Sequence, residues 1–260
     1  MSDKSIRDLL FTDFDGAPVD DPDDVILEAL DDPRYQQRIA PLTEFLAEES
    51  NPPYERFLAC CALASWGERA GYRAIVDAAR AGSETAWYGA LIDRRYSADE
   101  TFTQLADAVR VGKDFAREKS TEIERLAALR ALIGIADRQY FDWQLAGAID
   151  DTTAAAIRDD VVATVQRAIA ALTRGERPSF DLGSQLAGLV VSVATIDEST
   201  AIQLGYELAQ ISTSPGTLIR LTAISSHGTS PDSRLFGEYL GSVGDEQVRA
   251  ALVDASGKPK

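Results

Sequence analysis

The chain has a single histidine, a single methionine and only two cysteines among 260 residues. Each scarcity closes a class of chemistry. One histidine, His227, cannot build a histidine-rich metal site. Its neighbours Ser225 and Ser226 are neighbours in sequence only, so a loop or cap role is expected for it rather than a catalytic triad. Cys60 and Cys61 are adjacent, and on a helix adjacent side chains diverge by about 100°. They form no disulfide framework and are too few for structural zinc; a core position is expected for both. No stretch approaches a membrane-spanning length, and the strongest, LAGLVVSVATI at 186–196, has the length of a buried helix. The start, MSDKSIRDLL, lacks a basic end followed by an apolar run, so no signal peptide is read there and a cytoplasmic location is expected. A Gly-rich phosphate loop is missing, since Gly183-Ser184 and Gly241-Ser242-Val243-Gly244 lack the lysine and the strand context. Period-2 patterning is almost absent; LLFTDF at 9–14 and LVVSVATI at 189–196 are the only strand-like runs.

What the chain has in excess is negative charge. The net charge is −16, and residues 1–50 hold 14 acids against 4 basic residues. Nine acids and no base lie between Asp13 and Asp32: Asp13, Asp15, Asp20, Asp21, Asp23, Asp24, Glu28, Asp31 and Asp32. A field of that sign repels nucleic acid and anionic membranes and speeds the encounter with a basic partner. Taken alone, such a run reads first as a solvated, solubilising segment.

The second excess is internal similarity. Residues 55–81 align without gaps on residues 124–150, with seven of 27 positions identical. The shared apolar positions are Phe57/Leu126, Ala59/Ala128, Ala62/Ala131, Leu63/Leu132 and Trp66/Ile135. They form one broad helical stripe that must be buried against another helix. A polar break follows, Gly67-Glu68-Arg69 in one copy and Ala136-Asp137-Arg138 in the other. Tyr72, Val76 and Ala79 are then matched by Phe141, Leu145 and Ala148. Each copy therefore reads as a helix, a tight turn and an antiparallel helix. Residues 184–211 repeat the pattern more weakly, with an Ile-Asp turn at 196–197 and Gln185 where the other copies carry Arg56 and Arg125.

This pattern resembles the HEAT family, especially its short variant, in which an arginine precedes an Ala-rich first helix ending in an acidic turn. The resemblance implies an all-α solenoid of about seven antiparallel helix pairs. Expected helices are 23–31, 34–49, 54–66, 69–81, 84–94, 98–112, 121–135, 138–149, 153–173, 182–195 and 198–210, with three shorter ones within 216–255. Asp21-Pro22 and Asp32-Pro33 read as helix starts, as does the cap Ser97-Ala98-Asp99-Glu100. The organisation expected is one helical-repeat domain, with an acidic cap over 1–52, repeats over 53–173 and further repeats over 181–260. Arg174–Pro178 is the best internal break. Trp66, Tyr72, Phe141 and Phe57 are expected in the core, and Trp87, Tyr88, Tyr140 and Trp143 between repeats.

Two lookalike motifs share one segment. LLFTDFDGAPVDD at 9–21 resembles the first motif of haloacid-dehalogenase-type phosphatases, which would make Asp13 the nucleophile and Asp15 the acid/base around magnesium. Ala17 and Pro18 depart from that pattern, and no parallel sheet is predicted to carry the family's other motifs. Read as a calcium loop, the segment lacks the downstream bidentate glutamate. The expectation is therefore a soluble, acidic, non-enzymatic protein-binding module with no cofactor and no metal. Small acidic proteins of this kind resemble immunity proteins that neutralise basic toxins. The partner-binding residues expected are Asp20, Asp21, Asp23, Asp24, Asp31 and Asp32, facing a basic protein rather than nucleic acid or membrane. A general scaffold and a magnesium-dependent phosphatase are the alternatives.

Overall fold

The computed structural model of the chain describes residues 5–89, 92–93 and 98–256. These residues are almost wholly helical. They group into two compact units, 1–132 and 133–260.

In the first unit α1 (Ile6–Leu10) and α2 (Pro22–Glu28) precede a 3-10 turn, Pro33–Tyr35, and α3 (Gln36–Ala47). Next come α4 (Pro53–Ser65) and α5 (Arg69–Ala81), a two-residue hairpin of β1 (Ile92–Asp93) with β2 (Ala98–Asp99), and α6 (Thr101–Val111). The unit ends with α7 (Lys113–Glu118) and α8 (Glu122–Ile133). The central element is α4, buried continuously from Phe57 to Ser65 and packed by α3, α5 and α6, with smaller contacts to α1 and α2. A helix apolar all round has no solvent face and must be enclosed in this way.

The second unit contains α9 (Gln144–Gly147), α10 (Asp151–Thr173), α11 (Leu182–Ala194), α12 (Glu198–Ile211), α13 (Pro215–His227), α14 (Pro231–Val243) and α15 (Glu246–Ser256). Its central helix is α11, packed by α10, α12 and α13. Ser and Asp side chains cap the helix starts: Asp150, Asp181, Asp197, Ser214 and Ser230 each accept a backbone N–H of the following first turn. His227 is the exposed last residue of α13 rather than a loop residue.

The repeat has a physical basis in all three copies. Arg56 Nε donates to Leu46 O at 2.9 Å, Arg125 Nε to Val109 O at 2.8 Å, and Gln185 Nε2 to Ala136 O at 2.7 Å. In the first two copies the matched donor satisfies a carbonyl in the last turn of α3 or α6, a group the helix itself leaves open, and in the third it satisfies a carbonyl of the turn that follows α8. The matched acid in the turn likewise takes a cation from another element. Glu68 pairs with Lys119 at 2.6 Å, Asp137 with Arg167 at 3.2 Å and Asp197 with Arg158 at 2.8 Å.

Two predicted helices do not form as expected. The first copy turns through Gly67, whose φ of 74° is left-handed. Glu68 N reaches Leu63 O at 2.8 Å and Gly67 N reaches Ala64 O at 3.0 Å, the paired bonds of a Schellman cap. A Cβ on Gly67 would lie 2.7 Å from the Phe115 carbonyl carbon. The second copy has Ala136 here, and its chain unwinds; of the predicted helix 138–149 only Gln144–Gly147 is helical. Its apolar residues Phe141, Leu145 and Ala148 are nevertheless buried. Helix 84–94 does not form over its described residues either. Residues 85–89 turn instead, seating Trp87 edge-on against Phe57 with ring centres 5.9 Å apart. The predicted cap at Ser97 lies outside the described residues; Asp99 Oδ1 accepts the Thr101 amide at 2.8 Å at the start of α6. Trp66, Tyr72, Phe57 and Phe141 are fully buried, while Tyr88 and Trp143 are exposed.

Candidate partner-binding surface

The segment before α2 is a tight loop held from outside by two arginines. Val19 N donates to Phe11 O at 3.1 Å and Asp13 N to Ala17 O at 2.8 Å, closing residues 11–19 on themselves. Inside the loop, Asp13 Oδ1 accepts the amides of Asp15 at 2.9 Å and Ala17 at 2.7 Å. The Arg38 guanidinium donates to Leu9 O, Thr12 O and Asp13 O at 2.7, 2.6 and 2.6 Å and lies 4.3 Å from the centre of the Phe14 ring. Arg34 donates to Phe14 O at 2.9 Å and pairs with Asp15 at 2.7 Å. Leu9 and Leu10 end a helix rather than forming a strand. The carboxylates that resembled a phosphatase motif therefore serve as a loop cap and half of an ion pair. Among the described residues the only paired strands are the short β1–β2 hairpin, with one isolated bridge between Thr12 and Pro18. No group of three or more His, Cys, Asp or Glu among the described residues is placed to hold a metal ion.

The six acids expected at the interface separate into three groups. Asp21 and Asp32 are caps. Asp21 Oδ1 accepts the Asp23 amide at 3.0 Å, with Pro22 at the first helical position, and Asp32 Oδ1 accepts the Arg34 amide at 2.8 Å. The Asp32 carboxylate also takes the Arg34 side chain through Nε at 2.8 Å, and this bonding lowers its pKa. The count of nine acids without a base thus loses Asp15 and Asp32 once Arg34 folds back. Asp20, Asp24 and Asp31 form the second group. They are exposed and meet no cationic or hydrogen-bonding side chain among the described residues.

Asp23 stands alone. As a residue it is exposed, yet its carboxyl faces a cleft between α2, α4 and α6 and loses solvation there. That desolvation, then the charges of Asp21, Asp107 and Asp24, hold its pKa above the usual carboxylate value. Neighbouring Tyr54 is pushed up first by burial and then by Asp21.

Apolar groups that the linear reading did not single out complete the surface. In Val25-Ile26-Leu27 the first two side chains are buried, whereas Leu27 remains 48% exposed, Leu30 56% and Tyr54 41%. The buried face of α2 is fixed by Trp66, whose Nε1 donates to Ile26 O at 3.0 Å. Trp66 in turn packs on Tyr35, and Tyr35 on Phe115. The signal available in the sequence was that Val25-Ile26-Leu27 with Leu30 is wider than one helix face can bury. Leu27 of α2, Leu30 in the turn after it and Tyr54 at the start of α4 are therefore presented among carboxylates that repel one another. The first unit as a whole carries 26 acids against 16 basic residues, Lys4, Arg94 and Arg95 included.

No protein-family model matches the chain, and no curated protein or solved structure matches it. Among the described residues no helix is long and apolar enough to cross a membrane.

Proposed function

We propose that the protein is a non-enzymatic binding module whose α2 surface engages a basic protein. In its most specific form this is an immunity or inhibitor protein covering the anionic-substrate site of a basic toxin, on a helical-repeat scaffold of the HEAT kind. The observation that carries the reading is the combination of uncompensated carboxylates at Asp20, Asp23, Asp24 and Asp31 with exposed Leu27, Leu30 and Tyr54. The acids supply attraction at a distance and the choice of partner. The tyrosine and leucines supply area to bury, which acids alone lack.

Affinity capture at low salt from the native cell, with mass spectrometry, tests the proposal. The expected partner is basic. It is released by raising salt from about 20 mM to about 300 mM, where screening shortens the reach of surface charge. It is also lost when Asp23 and Asp24 are both changed to lysine. Equal capture of every partner by that variant refutes the reading, and a salt-insensitive, non-basic partner assigns the protein to scaffolding instead.

A further inference from the structure

The cleft beside Asp23 is small, with a volume of about 60 Å³. At about 10–15 Å³ of such space per water, that is room for a few waters or one planar polar group. Asp23 and Leu27 form the α2 wall, Gln104 and Asp107 the α6 wall, and Cys61 and Ser65 of α4 the floor.

Its polar groups await a donor. Ser65 is only 4% exposed, and its side chain makes no hydrogen bond among the described residues. A buried hydroxyl on a helix ordinarily bonds back to a carbonyl one turn earlier; here it opens on the cleft instead. The Gln104 amide is also unpaired. Asp107 has one oxygen, Oδ1, held by Arg110 at 2.8 Å, which leaves Oδ2 open. Among the described residues Arg110 is the cation bonded to the lining carboxylates, against Asp23 and Asp107 with Asp21 and Asp24 alongside.

We propose that this cleft receives one arginine guanidinium from the basic partner. The inference rests on the partner reading above and specifies how that surface recognises its target. An anion is excluded by charge, and an apolar group would leave two carboxylates desolvated without compensation. A guanidinium brings five N–H donors in one plane, which suits acceptors on opposite walls, whereas an ammonium is a compact point charge. The desolvation and like charge that raise the Asp23 pKa are the strain such a cation would relieve.

The test is a titration of the full chain with N-acetylarginine amide, with N-acetylnorleucine amide as the uncharged comparator, followed by carboxyl and side-chain amide NMR. The expected result is a saturable shift at Asp23 Cγ, Asp107 Cγ and the Gln104 amide with a dissociation constant of about 1–10 mM, as suits one small cationic group. Asp20 and Asp31 should move far less, and Asp23→Asn should abolish the local response with the unfolding transition retained. A weak, unsaturating shift spread equally over all exposed acids, or no shift, overturns the cleft assignment. A hexa-arginine peptide at low salt tests the parent reading separately. Binding that survives Asp23→Asn but is lost in the Asp24→Lys, Asp31→Lys double variant sinks the cleft alone, and failure to bind the wild type sinks both.

Discussion

Replacing Gln185 with methionine removes hydrogen bonding at nearly constant volume. Gln185 is 5% exposed. Its amide donates to Ala136 O at 2.7 Å and Gln139 O at 2.9 Å, and its Oε1 accepts the Phe141 amide at 2.8 Å. These bonds stand in for the helical bonds that the unwound stretch between α8 and α9 does not make. Methionine takes away the Gln185 bonds to the buried Phe141 N–H and the Ala136 carbonyl, each loss costing about 1–3 kcal/mol. Against this, the buried thioether gains on the order of 1 kcal/mol. The expected net loss is about 2–4 kcal/mol, or roughly 10 °C in melting temperature for a cooperative unit of this size. Urea unfolding followed by tryptophan fluorescence measures it, and hydrogen exchange at the Phe141 amide should accelerate. Gln185→Glu should be worse at neutral pH, since it sets a carboxylate against two carbonyl oxygens, and should recover in acid. A Gln185→Met protein within about 0.5 kcal/mol of wild type, with Phe141 still protected, would refute the reasoning, because a lost buried partner costs more than that.

Gly67→Ala should destabilise the first unit by about 2–4 kcal/mol in chemical denaturation, combining left-handed strain with the contact at Phe115. Arg38→Ala should expose residues 9–19 to proteolysis at a cost of about 1.5–3 kcal/mol, because three carbonyls lose a charged donor. The pKa values of Asp197, through the Thr200 amide, and of Glu198, through the Ser230 hydroxyl, are depressed in the fold. Their stabilisation is complete above the unfolded values of 3.8 and 4.5 and is lost as pH falls through the folded ones. Asp23 has the opposite sign. Its ionisation as pH rises from 3.8 through the higher folded value destabilises the fold, so Asp23→Asn should gain stability at pH 7 that disappears in acid, as thermal melts across pH would show.

The parts of the fold legible in the sequence were those in which a local rule and the tertiary contact agree. The ungapped match located Arg56 and Arg125 and the turn acids Glu68 and Asp137, and the weaker third copy located Asp197, because each performs one backbone or ion-pairing task in its copy. Gln185 looked like a departure from the pattern and proved a chemical substitute for the arginine. The match overreached where one residue changed the turn. Ala136 does not supply what Gly67 does, so the helix after it shrinks although its apolar residues are still buried. The acidic segment was legible as composition but not as a surface. Arg34 and Arg38 lie outside the base-free run and fold back over it, and only the packing of α2 decides that Ile26 is covered while Leu27 is not. The Asp107 wall of the cleft comes from α6, far along the chain, and no linear pattern joins it to Asp23.

The neighbouring thiols of Cys60 and Cys61 sit inside α4, where burial raises the pKa of both. Thiolate is the nucleophile, so alkylation is slow while the helix remains enclosed, and slowest at Cys60, which is fully covered, whereas Cys61 borders the cleft. The protein thus carries an internal gauge of its own opening, read as mass added per unit time without any engineered probe. The same silence leaves the exterior free for a single introduced cysteine, so that a dye or spin label beside α2 would report on that position alone.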